Sequence, residues 1–164
     1  MRRSKLNNEA GTTMPEVLVA ALILAVFFGS IFELNAVCLR YIDASKESLA
    51  ALQLVNDRAE TLRNLAFKDL TTTSYVQGIL ASPANASEFA KKATEVVTIR
   101  AYPTANGVTQ FTRSGTGTVT ANSIATNLGS TLVQVDVAVS WTMTLGSRSR
   151  SEQVTSIISN GTKK

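Results

Sequence analysis

At 164 residues and a formal net charge of +4, the chain has room for one compact domain after an apolar anchor, and too little charge to mark a nucleic-acid footprint. It has no histidine and one cysteine, Cys38, so the commonest general base and metal ligand is absent and no intramolecular disulfide can form. No glycine-rich phosphate loop, serine elbow or partnered carboxylate pair stands in the sequence, and neither an enzyme nor a bound cofactor is expected.

Residues 1–11, Met-Arg-Arg-Ser-Lys-Leu-Asn-Asn-Glu-Ala-Gly, form a short polar leader in which Arg2, Arg3 and Lys5 face the single Glu9. By the positive-inside rule this end stays in the cytoplasm. Its loss would leave 13 basic against 11 acidic residues, a net charge of +2. The following residues 17–32 carry no charge, and as a helix they span about 24 Å, short of a hydrocarbon core of roughly 30 Å. Extension to Leu39 reaches that thickness but takes Glu33 and Asn35 along.

One acidic residue, Glu16, stands directly against the apolar run. A carboxylate near the bilayer interior is costly, so such a residue calls for a partner and a task. A secretory signal would be cut after its apolar region, near small residues. Asn35-Ala36-Val37 is a poor site of that kind, and the small residue in a suggestive place is Gly11, ahead of the run.

Beyond Phe32 no proline interrupts the chain until Pro83, and Leu49, Leu52, Val55, Ala59, Leu62 and Ala66 recur at helical spacing. One helix of about 50 residues, roughly 75 Å long, is expected, its first half in the membrane and its second half, residues 40–67, amphipathic. Lys46, Glu47, Asp57, Glu60, Arg63 and Asn64 fall opposite the stripe, and Asp57 and Glu60, interleaved with Arg58 and Arg63, read as a solvated face. Gly29-Ser30 interrupts the apolar half, where glycine costs about 1 kcal/mol relative to alanine. The Thr- and Ser-rich composition from Thr71 to Ser87 predicts a loop over residues 68–94, with Phe67, Tyr75 and Phe89 anchoring it to the domain.

Residues 95–159 carry strand signals. Glu95-Val-Val-Thr-Ile-Arg-Ala-Tyr102 is β-branched and ends at Pro103, and two weaker strands follow at 107–112 and 117–121. From 133 to 145, Val133, Val135, Val137, Val139, Trp141, Met143 and Leu145 alternate with polar residues, the period-two pattern of a half-buried strand. Gly146-Ser147 then turns into a return strand over 148–159. The fold expected is α+β: a long N-terminal helix whose amphipathic half packs on a C-terminal antiparallel sheet, with Trp141 at the centre of the core.

Gly11-Thr-Thr-Met-Pro-Glu16-Val-Leu-Val-Ala resembles the N-terminal signature of type IV pilins and pseudopilins. In that family a peptidase cuts after a glycine on the cytoplasmic side, the new N-terminus is methylated, and the fifth mature residue is a glutamate followed by an apolar helix. The resemblance covers residues 1–40 closely. It implies cleavage between Gly11 and Thr12, N-methylation of Thr12, and an assembly role for Glu16, whose carboxylate would meet the α-amine of an incoming subunit. The chain departs from the pattern at Thr12, where phenylalanine is usual, and at Pro15, where an aliphatic residue is usual; proline is compatible with a first helical turn. The hairpin of Val-x-Val-x-Trp141, Gly146-Ser147 and Arg150-Ser-x-x-Val154 is also similar to that of V-type minor pilins and I-type pseudopilins.

The resemblance implies a leader (1–11), a transmembrane and assembly helix (12–39) and a pilin-like globular domain (40–164), held in the inner membrane with the N-terminus inside and the domain in the periplasm or a surface fibre. The implied partners are a prepilin peptidase, other pilin-like subunits and an inner-membrane assembly platform; nucleic acid is not expected. Three rival readings remain: a membrane-anchored extracytoplasmic binding module; a DNA-uptake minor pilin, which needs Arg100, Arg113, Arg148 and Arg150 on one face; and an anchored enzyme, which needs a cleft with perturbed carboxylates.

Overall fold

The computed structural model describes residues 13–161. Helix α1, Met14–Arg63, is 50 residues long, and the chain divides into two compact units after Tyr41. In the first unit every described residue is exposed.

The second unit holds the remainder of α1, the short helices α2 (Phe67–Leu70) and α3 (Thr73–Leu80), a 3-10 turn at Phe89–Lys91, and five strands: β1 (Thr94–Ala101), β2 (Val108–Arg113), β3 (Val119–Ser123), β4 (Leu132–Thr142) and β5 (Ser149–Ser159). The strands form one antiparallel sheet in the order β3-β2-β1-β4-β5. β1 up to Arg100 and β4 up to Trp141 alternate between half-exposed and buried positions, so one face meets the helix and the other faces outward. The α+β architecture expected from the sequence, a long helix packed on an antiparallel sheet, is the one observed.

The core joins Ala51, Leu54, Val55, Ala59 and Leu62 of α1 to Val97, Ile99, Phe111, Val133, Val137 and Val139 of the sheet. Burying side chains of this size contributes about 1.5–3 kcal/mol each for the larger ones, against the entropy of ordering the chain. Trp141 lies at the end of β4, not at the centre of the core; its ring stands edge-on to Phe89, centroids 5.4 Å apart. The hairpin between β4 and β5 closes with Met143 N–H donating to Arg148 C=O at 2.9 Å, and Gly146 and Ser147 both take positive φ, 75° and 49°. Glycine takes such a φ without a Cβ clash, which suits it to this four-residue loop.

Three further sequence expectations are corrected. The amphipathic half of α1 ends at Arg63, not at 67, and its buried stripe runs through Ala44, Ala51, Leu54, Val55, Arg58, Ala59 and Leu62. Leu49 and Leu52, placed on that stripe from their spacing, are 62% and 41% exposed. Residues 68–94 are not a plain loop: α2, α3 and the 3-10 turn occupy much of the segment, and Leu70, Val76, Leu80 and Ala90 are buried. Phe67 and Phe89 pack against the core, whereas Tyr75 is 47% exposed and does not anchor the segment.

The third correction is Arg58, which does not belong to a solvated face. It is 2% exposed, and its guanidinium donates through Nε and Nη2 to both carboxylate oxygens of Glu95 on β1, also 2% exposed. Its nitrogens further donate to the carbonyls of Ser82 at 2.7 Å and Ile79 at 3.3 Å. A planar five-donor fork is suited to this: it satisfies a carboxylate and the open carbonyls near the end of α3 together. The residue thus ties α1, α3 and β1 at one point.

Candidate functional site

The features that point to function lie at the start of α1. Thr13 C=O accepts from the N–H groups of Glu16 at 2.9 Å and Val17 at 3.2 Å, which closes the first turn. Pro15 sits inside that turn, where its missing N–H removes no helical bond. Glu16 occupies the third helical position, where a carboxylate is favoured by the helix dipole. Thr13-Met-Pro-Glu16 also has the spacing of a capping box. Among the described residues, however, neither the Thr13 hydroxyl nor the Glu16 carboxylate makes a side-chain hydrogen bond or ion pair, and both residues are exposed.

The segment behind Glu16 is the one described helix long and apolar enough to cross a membrane, and none of it is buried within the chain. Phe27, Phe28, Ile31 and Phe32 are between 45% and 71% exposed. Side chains of this kind need a lipid or protein environment. Gly29 has no atom within 4 Å of where a Cβ would stand, and Ser30 Oγ donates back to the Val26 carbonyl at 2.9 Å, so the Gly29-Ser30 interruption leaves the helix continuous. Gly11 and Thr12, to which cleavage and methylation are assigned by resemblance, lie outside the described residues.

A cleft of about 240 Å³ is lined by Glu47, Phe89, Lys92, Trp141, Thr142 and Thr144. Its one carboxylate is already engaged, accepting from the N–H and hydroxyl of Thr144. Among the described residues no group of histidine, cysteine, aspartate and glutamate side chains could hold a metal ion. At the surface, the hydrogen bond and charge of Lys91 hold the Glu88 carboxyl below its ordinary range, a local effect between exposed neighbours. The Asn85 amide donates to Asp57 at 2.9 Å and accepts from the N–H and hydroxyl of Ser87.

The four arginines weighed as a basic patch do not share a face. Arg113 is 5% exposed and donates to the Ala90 carbonyl on the inner side, while Arg100 lies on the outer face, paired with Asp136 at 3.0 Å. Arg150 stands opposite Trp141 in the β4–β5 register and so on the inner parity of the sheet, and Arg148 precedes β5 in the turn. The buried arginines were hidden in the sequence because the partners that make burial tolerable, Glu95 and the Ala90 carbonyl, are 37 and 23 residues away.

No family model, curated protein or solved structure matches the chain.

Proposed function

We propose that this chain is a pilin-like structural subunit, a minor pilin or pseudopilin, made as a precursor with its N-terminus in the cytoplasm, cut after Gly11 and assembled into a fibre through its apolar helix. The observation that carries this reading is a bare apolar helix led by an unpartnered carboxylate at Glu16, four residues after Thr12, which would become the mature N-terminus. A free α-amine has an ordinary pKa near 8, so it is a cation under physiological conditions. In a low-dielectric bundle it is strongly attracted to a carboxylate, and the Glu16 of a neighbouring subunit satisfies both charges at once.

The implied partners are a prepilin peptidase, other pilin-like subunits and an inner-membrane assembly platform, with the sheet domain on the far side of the membrane. The extended hairpin of β4 and β5, similar to that of V-type minor pilins and I-type pseudopilins, favours a minor or pseudopilus position over a major one.

Intact mass of the full chain, expressed with and without a prepilin peptidase, tests the reading. Loss of residues 1–11 with the peptidase, blocked by Gly11→Val, is the expected result, and one further methyl mass would place the modification on Thr12. An uncut precursor in every case would leave a membrane-anchored extracytoplasmic module, with Glu16 serving only its own helix end.

A further inference from the structure

Glu33 and Arg40 lie at the outer end of the apolar helix, both exposed and neither joined to an ion pair among the described residues. They are seven residues apart. On an α-helix that separation is two turns less about 20°, so the two charges share one face, displaced by about 10.5 Å along the axis. Gly29 and Ala36, themselves a heptad apart, fall beside them on the same side and leave room for another backbone to approach.

We infer that this face is a charge-keyed seam for a second copy of the same chain, in which Arg40 of one copy pairs with Glu33 of the next. Copies inserted the same way across a membrane lie parallel, so in-register packing sets Glu33 against Glu33 and Arg40 against Arg40. A shift of one heptad replaces both repulsions with an attraction. Like-charge contact against one register is what separates it from its competitor.

The inference rests on the pilin-like reading and deepens it. Contact between the Thr12 amine of one copy and Glu16 of the next requires a shift of four residues, about 6 Å. Contact between Glu33 of the first copy and Arg40 of the second requires a shift in the same direction, of about 10.5 Å. The remaining difference of roughly 4.5 Å is within the reach of a flexible arginine side chain, so a single stagger serves both charge pairs. In a bundle around a common axis each helix turns its inner side toward both neighbours, so donor and acceptor belong on one face, as they are here. The seam thereby fixes the register of neighbouring helices and shields a carboxylate that is costly in lipid.

Two differently tagged full-length copies, one carrying Gly29→Cys and the other Ala36→Cys, each with Cys38→Ser, are co-expressed with a prepilin peptidase and oxidised in the membrane. The Cβ of a residue at position 29 meets no neighbouring atom within its own chain, so the substitution leaves the helix undisturbed. The staggered 29–36 disulfide is expected at least fivefold above the in-register 29–29 and 36–36 products. Glu33→Arg should reduce it at least fivefold, and Glu33→Arg combined with Arg40→Glu should restore it. Equal products in all combinations, no disulfide, or a double variant that fails to recover would overturn the seam; the last is the outcome if Arg40 serves a lipid phosphate instead. Intact mass of the same samples keeps the two ideas apart. A cut chain without stagger defeats the seam alone, and a staggered but uncut chain defeats the pilin-like reading alone.

Discussion

Arg58 shows how a single residue can organise the domain and yet be misread from the sequence. It sits on the stripe that faces the core, between Val55 and Leu62, where a charged side chain is tolerated only if every donor is met. Glu95 and the carbonyls of Ile79 and Ser82 meet them. Removing one partner from a buried pair leaves an uncompensated charge, and Arg58→Met is expected to destabilise the domain by about 3–5 kcal/mol. The double variant Arg58→Met, Glu95→Leu removes both charges and should recover most of that loss. Equilibrium urea unfolding of the detergent-solubilised chain, followed by Trp141 fluorescence, reads both; equal destabilisation in single and double variants would mean that the contacts to α3 matter more than the charge.

At the scale of elements, legibility depended on whether the information was local. β4 was evident because its alternation is strict and its inner residues, from Val133 to Trp141, are all buried. The glycine-serine turn and the return strand followed from turn chemistry within a few residues. The amphipathic stripe of α1 was placed with the wrong neighbours because leucines are common on both sides of it, and only the sheet decides which side is inward. α3 went unseen because threonine, serine, glutamine and glycine make up half of it, although Val76 and Leu80, four apart and both buried, were a readable signal. The correction is measurable. Leu54→Ala, at 2% exposure, should cost about 2–5 kcal/mol by leaving a cavity. Leu49→Ala, at 62% exposure, should stay within about 0.5 kcal/mol of the parent in the same unfolding measurement. Comparable losses at the two positions would restore the stripe drawn from spacing alone. At the candidate site, Glu16 and the apolar run were legible because both are local in sequence; among the described residues nothing pairs with its carboxylate, and a partner remote in sequence or on another chain leaves no local signal.

For the whole molecule, the distribution of exposed apolar surface separates two tasks. Of the twenty-three large apolar side chains exposed among the described residues, sixteen lie between Met14 and Tyr41. The second unit keeps seven, of which Ile42, Leu49 and Leu52 lie along one side of α1 and the other four are far apart in sequence. It also retains the 22 helical residues of α1 that cover the sheet, the Arg58–Glu95 tie and all five strands. Helical stability in a protein comes mostly from packing an apolar face, so this part of α1 does not need the preceding turns to remain folded. A chain beginning at Ile42 is therefore expected to be soluble without detergent, with a circular dichroism spectrum of mixed helix and sheet and a cooperative thermal transition. The full chain should partition into detergent or membrane. Aggregation of the shortened chain, or loss of its cooperative transition, would show that the apolar helix is part of the folding unit. Its solubility would instead assign residues 14–41 to an environment outside the chain, the lipid or protein surroundings that a bare apolar helix needs.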